Sequence, residues 1–324
     1  MVNLEDTNIS VTVGSLHLKS PLIIVSGVFG YGEEFLKVAH FDPEEAGAVV
    51  LKGITLKPWA GNPPPRIVET AAGMLNSIGL QNIGVEQLVT RKLPLWENVN
   101  TKVIINVAGH SIEEYVEVSK IAASSPHVAA LELNLSCPNV DRGGLVFGTD
   151  PHLVEQITSL VRQAVSHKPV WVKLTPNVEN IGLIAQAAAD GGAAAVSLIN
   201  TLRGIAIDIE TKSPILSKNI GGLSGPAIKP VALLKVAEVY KKFQESALSI
   251  PIIGMGGVMN ATDVLEFIIA GANAVGVGTA MFYDPLSIQR INTELKQYLT
   301  KRFRQSGNQD DLTLASFTGS LTWN

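Results

Sequence analysis

The chain has 324 residues, 46% hydrophobic and 17% charged, with a mean hydropathy of +0.25, which is enough apolar material for a large core and excludes a disordered chain. Its 25 Lys and Arg against 29 Asp and Glu leave a formal charge of -4, and neither sign forms a block, so neither nucleic acid nor a membrane is an expected partner. A single cysteine, Cys137, excludes an internal disulfide, a thiolate-built zinc site and a cysteine-ligated iron-sulfur cluster within this chain, and no metal site is expected.

At the amino terminus, residues 1–6 are acidic and lack a signal-peptide pattern, and no later apolar run reaches about 18 residues, which predicts a cytoplasmic protein. Residues 10–13 and 16–18 flank Gly14-Ser15, a two-residue hairpin signal whose place before the first long apolar run suits a plug for the bottom of a barrel. Eight short β-branched runs follow, at 22–25, 48–52, 103–106, 129–135, 170–174, 194–200, 251–254 and 274–278. Helical periodicity separates them, as in Leu153, Val154, Ile157, Leu160, Val161, Ala164 and Val165. Apolar strands alternating with helices predict a parallel (β/α)8 TIM barrel, with an open doubly wound sheet as the alternative.

Two connections exceed what a barrel needs. Residues 53–82, after the second strand, carry Pro63-Pro64-Pro65, and residues 201–226, after the sixth, contain a small hairpin over 205–209 and 214–216. Both leave the carboxyl ends of strands, where barrel sites lie, so both should cover the site. With no repeat, linker or low-complexity segment, residues 1–324 are expected to form one domain, and the polar tail after about Phe303 carries no readable pattern.

Ser26, Lys52, Asn106, Asn134, Lys173, Asn200 and Thr201 interrupt the apolar strands at their carboxyl ends. Each alone reads as a cap or a turn residue; together they read as one polar site. Because side chains alternate along a strand, Glu132 shares its face with Asn134, one layer deeper. An unpaired buried carboxylate is costly, so Glu132 either pairs with Lys52 or Lys173 inside the barrel or points outward to a helix. Gly254-Met255-Gly256-Gly257 and Gly276-Val277-Gly278-Thr279 end the last two strands, and such glycines serve either a phosphate cradle of bare amides or tight strand-to-helix turns. Cys137, just past the fourth strand, reads as an inert buried thiol, a nucleophile or a general base; its ordinary pKa of about 8.5 suits the last near neutrality.

The strings Asn134-Leu-Ser-Cys-Pro-Asn139, Met74-Leu-Asn-Ser-Ile-Gly-Leu-Gln-Asn82, Gly221-Gly-Leu-Ser-Gly-Pro-Ala-Ile-Lys-Pro230 and Gly254-Met-Gly-Gly-Val258 occur in the order seen in class 1 dihydroorotate dehydrogenases, which the chain resembles from about residue 8 to 300. Asn200-Thr-Leu-Arg-Gly204 and the glycine strings resemble the B type, and a cysteine base argues against class 2. The resemblance implies an FMN-containing barrel oxidising dihydroorotate to orotate in pyrimidine synthesis. It implies FMN contacts from Ser26, Lys52, Gly53, Asn106, Asn134, Lys173, Ile199, Gly225, Gly256, Gly257, Gly278 and Thr279. Substrate contacts would come from Lys52, Asn76, Ser77, Ile78, Gly79, Leu80, Asn134, Asn139, Asn200 and Thr201, with Cys137 as the base at C5.

B-type relatives pair with a subunit carrying FAD and a [2Fe-2S] cluster, in a heterotetramer built on a dimer of catalytic chains that passes electrons to NAD. One thiol and no dinucleotide fingerprint likewise require another chain for that step. The alternatives are an A-type enzyme reducing fumarate directly, a non-redox barrel gripping a phosphorylated substrate, and a non-catalytic scaffold.

Overall fold

A computed structural model describes residues 7–135 and 145–323. Its centre is a closed parallel barrel of eight strands: β1 Leu22–Ile24, β2 Ala48–Ile54, β3 Lys102–Val107, β4 Val128–Asn134, β5 Val170–Lys173, β6 Ala195–Leu198, β7 Ile252–Met255 and β8 Ala274–Val277. They follow one another around the cylinder in chain order, and β8 pairs with β1 to close it. The barrel expected from the alternation of strands and helices is therefore present, and each apolar run lies within two residues of its expected place.

Parity along the strands sorts the residues. Leu22, Val49, Leu51, Ile105, Leu131, Leu133, Val172 and Val196 face outward into the larger apolar core, where they meet the helices. Six of these are α1 Ile112–Ala123, α2 Pro151–Ala164, α3 Ile181–Asp190, α4 Lys229–Glu245, α5 Ala261–Ile269 and α6 Ser287–Ser306. Their starts are chemically marked: Ser111 accepts from Glu114 N at α1, Asp150 precedes Pro151 at α2, and Asn260 with Asp263 forms a capping box at α5. The connection between β1 and β2 has no long helix. Short 3-10 turns and a cluster of Phe29, Phe35, Phe41 and Trp96, with ring centroids 5.0–5.9 Å apart, fill that place.

The alternate residues point to the barrel axis. Ile23, Val50, Ile104, Ala130, Trp171, Ala195, Ile253 and Ala274 form an interior layer, and Val13 and Leu18 of the amino-terminal hairpin join it from below. The hairpin is thus the expected plug. Both of its inserted side chains are fully buried, each contributing roughly 1.5–3 kcal/mol of apolar transfer.

The long connections do more than the sequence shows. Ile67–Thr70 and Gly73–Asn76 from the first, and Leu202–Gly204 and Gly221–Ser224 from the second, join in one antiparallel four-stranded sheet above the mouth. The expected small hairpin is also present, Ile207–Asp208 pairing with Ser213–Pro214. The tail, unreadable as sequence, folds back in two 3-10 turns that bury Leu312, Leu314 and Phe317, while Gly319 N donates to Ile268 O at the end of α5.

Candidate active site

One step of two residues beyond the apolar interior layer changes its chemistry. Val50, Ile104, Ala130, Trp171 and Ala195 are succeeded, on the same inward face, by Lys52, Asn106, Glu132, Lys173 and Ser197. On the remaining strands the same step reaches Val25, Met255 and Gly276. The polar half of the ring thus belongs to β2–β6 and the apolar or bare half to β7, β8 and β1.

Above this ring is a cavity of about 1220 Å3, counted out into its open mouth. Its polar wall holds Lys52, Asn106, Asn134, Lys173, Asn200 and Thr201. Its opposite end is nearly bare backbone, with Gly225, Gly256, Gly257, Gly276 and Gly278 beside Ser224 and Thr279. Asn76, Ile78 and Leu80 come down from the overlying connection, and Ile67 and Phe282, both about half exposed, stand among the lining residues. Among the described lining residues two are cationic and none is acidic.

Several glycines are needed for this shape. Gly257 has φ +76°, and a Cβ there would lie 2.8 Å from Gly225 O and 2.9 Å from Lys229 Cβ. At Gly53 the constraint is contact, since a Cβ would stand 2.8 Å from Asn106 Oδ1. Thr279 Oγ1 donates to Ser224 Oγ at 3.0 Å, joining two hydroxyls from different elements at the glycine end. Bare amides and hydroxyls suit a phosphate ester, while amides and ammonium groups suit a planar ring of alternating carbonyls and N–H groups. The donor set therefore suits a ligand that carries both a phosphate and such a ring, as FMN does.

Glu132 is buried and faces the axis, as parity requires. Its Oε2 accepts from Asn106 Nδ2 and its Oε1 from Ser197 Oγ, both at 2.7 Å. These neutral donors were absent from the sequence reading, which looked to the lysines. Asn134 Nδ2 in turn donates to Asn106 Oδ1 at 3.3 Å.

Most expected site residues come together here: Ser26, Lys52, Gly53, Asn76, Ile78, Leu80, Asn106, Asn134, Lys173, Ile199, Asn200, Thr201, Gly225, Gly256, Gly257, Gly278 and Thr279 all line the cavity. Ser77 and Gly79 do not. Ser77 is buried and its Oγ accepts from Asn62 Nδ2 at 3.1 Å, and a Cβ on Gly79 would run into Asn62, so this segment alternates between facing the cavity and facing Asn62. Cys137 and Asn139 lie outside the described residues. Met74, Ser224, Ile228 and Phe282 also line the wall without having been singled out, although Met74, Ser224 and Ile228 stand inside the strings that carried the resemblance.

The turn under Leu80 is propped from below. Asn82 Oδ1 accepts from Thr55 N and Gly84 N, and Tyr31 OH accepts from Ile83 N at 3.3 Å. Burial pushes the Tyr31 hydroxyl up to about 12, against a smaller opposing effect of that bond, so it stays protonated near neutrality.

A closed parallel barrel whose mouth joins a cationic, amide-lined wall to a glycine-lined end is the site of an enzyme for small anionic or phosphorylated ligands. The chain belongs to the dihydroorotate dehydrogenase family, whose profile matches residues 8–299. It is 51% identical over 296 residues, covering 91% of this chain and 94% of the relative, to proteins of Geobacter sp. (strain M21) and Citrifermentans bemidjiense named "Dihydroorotate dehydrogenase B (NAD(+)), catalytic subunit". A Geotalea uraniireducens protein of the same name is 51% identical over 292 residues, 90% of this chain and 93% of that protein.

Proposed function

We propose that this chain oxidises dihydroorotate to orotate in pyrimidine synthesis, as the FMN-binding catalytic subunit of an enzyme that passes the electrons to NAD through a second subunit. The observation that carries this reading is the single cavity that unites the lysines and asparagines of β2–β6 with the glycine end, in a chain of this family.

FMN supplies, when bound, a two-electron acceptor for the hydrogen that leaves C6 of the substrate as hydride. Gly225, Gly256, Gly257, Gly278 and Thr279 would hold its phosphate, while Ser26, Gly53, Asn106, Asn134 and Ile199 would flank the remainder. Lys52 and Lys173, which line the same cavity, would put positive charge beside a ring system that gains negative charge on reduction. Asn76, Asn134, Asn139, Asn200 and Thr201 would orient the substrate, with Ile78 and Leu80 covering it. Cys137 takes the C5 proton, so that loss of a proton at C5 and of a hydride at C6 leaves the new double bond between them.

The relatives' names include the words catalytic subunit, which supports a separate electron-transfer chain. We assign FAD and a [2Fe-2S] cluster to that chain, two copies of which would join a dimer of this one. The test is to purify the chain with FMN and add dihydroorotate anaerobically. Bleaching of the flavin, followed by NAD reduction only after the partner is added, is the expected result. A chain that takes up no FMN would sink the reading, and rapid turnover by the chain alone with fumarate would replace its NAD-linked part.

A further inference from the structure

The amides of the polar wall form a chain with one direction. Asn106 Nδ2 donates to Glu132 Oε2 at 2.7 Å, Asn134 Nδ2 to Asn106 Oδ1 at 3.3 Å, and Asn200 Nδ2 to Asn134 Oδ1 at the long distance of 3.5 Å. At the far end Asn200 Oδ1 accepts from Thr201 N at 2.8 Å. Each of these three side-chain donations runs toward Glu132. A primary amide is nearly symmetric in shape, and nothing in its own packing tells its oxygen from its nitrogen. Something must choose the direction.

We propose that Glu132 is a positioning residue: the buried carboxylate sets the donor and acceptor sense of the cavity-wall asparagines, and through them the sense in which the ring atoms of the ligand are recognised. A carboxylate can only accept, so Asn106 must turn its NH2 toward Glu132 and its oxygen toward Asn134, which then turns its own NH2 inward. Ser197 Oγ, two strands along the ring on β6, donates to the other oxygen at 2.7 Å and pins the carboxylate on its other side. Glu132 and Ser197 are among the most buried polar residues, 1% and 0% exposed, and neither lines the cavity, so each acts through Asn106 and Asn134, which do. Charge-assisted bonds are roughly twice as strong as neutral ones, which makes the first link the strongest in the series.

This inference rests on the proposed function, because its probe is orotate bound to the FMN-loaded chain. The experiment measures the dissociation constant of orotate by calorimetry. Glutamine keeps the shape of Glu132 but offers one oxygen and one NH2, so it accepts either sense of the chain and lacks the charge. Glu132→Gln is expected to weaken orotate about tenfold, which is about 1.4 kcal/mol, and to raise KM for dihydroorotate more than it lowers kcat. In an Asn106→Ala background the same substitution should change orotate affinity less than twofold, because the link through which it acts is gone.

A merely structural role would lower flavin content and kcat together, leave KM and the orotate constant of the loaded fraction unchanged, and overturn the proposal. An equal loss in both backgrounds would also overturn it. Should Glu132→Gln fail to fold, Ser197→Ala removes one hydroxyl and frees the carboxylate to rotate, with an expected loss of about threefold. Unchanged orotate affinity in that variant would overturn the proposal. A wild-type chain that binds FMN but no orotate would instead bring down the functional reading itself.

Discussion

The two ends of the barrel are built from the same strands and share almost nothing chemically. At the bottom the interior layer is aliphatic or aromatic, from Ile23 to Ala274, and the hairpin closes it with Val13 and Leu18. Two residues further along the same faces stand Lys52, Asn106, Glu132, Lys173 and Ser197, and the cover above them is the antiparallel sheet built from the two long connections. One end spends its interior on packing, whereas the other accepts the desolvation of charges and amides in order to recognise a ligand. Substitutions at the two ends should therefore fail in different ways, the bottom in stability and the top in binding or turnover.

The largest departure is expected in the chemistry itself. Cys137→Ser should retain FMN and fold normally yet lose turnover by roughly 10²–10⁴-fold near neutral pH, the usual worth of a positioned general base, since a serine hydroxyl is far harder to deprotonate. Stopped-flow reduction of the flavin by dihydroorotate checks it, and turnover like that of the wild type would remove Cys137 from the chemistry.

Next comes the glycine end. In Gly257→Val a β-branched side chain meets φ +76° and a carbonyl 2.8 Å from its Cβ, so FMN affinity should drop by on the order of a hundredfold. Fluorescence titration of the apoprotein with FMN measures this, and retention of tight FMN binding would show that the cradle lies elsewhere.

At the bottom, Leu18→Ala should cost about 2–5 kcal/mol of stability, because the side chain is fully buried against the interior layer. Its FMN constant should remain within twofold of the wild type. Urea unfolding paired with the FMN titration tests both halves, and a matching loss of FMN affinity would show that the two ends are not independent.

The smallest effect belongs to the tail, away from both ends. Hydrogen bonds from the Ser306 hydroxyl, then from the Arg302 guanidinium, hold the Asp311 carboxyl below the usual carboxylate range. A depressed value in the folded state means that its contribution is present at neutral pH and is lost as the pH falls through that lowered value. Asp311→Asn should lower Tm by a degree or two at most near pH 7, and the gap from the wild type should close in acid. A gap that persists unchanged below pH 3 would assign the effect to packing instead.

How far the sequence reveals this molecule differs from element to element. Strands such as β5 and β8 announce themselves because both of their faces are covered and the run is almost wholly apolar. Asn106, Asn134 and Lys173 stand out for the converse reason, being polar within such runs. Ser197 escaped notice because serine in a strand is unremarkable until its inward parity and the carboxylate on β4 are seen together. The parity that exposes Glu132 does not name its partners, since the pairing of β3 with β4 places Asn106 beside it and the inward face of β6, two strands along, brings Ser197 to it.

Local periodicity and the chemistry of single residues were enough to settle the repeated strand-and-helix architecture, the hairpin and most of the polar wall, because burial on both faces leaves a mark in every few residues of chain. The union of residues 67–76 with 202–224 into one sheet, the alternation that turns Ser77 and Gly79 away from the cavity, the docking of the tail on α5 and the one-way chain of amides were decided by folding alone. Each depends on which distant segments meet, and a hydrogen bond between residues 65 positions apart, as between Ser197 and Glu132, has no signature in the neighbours of either.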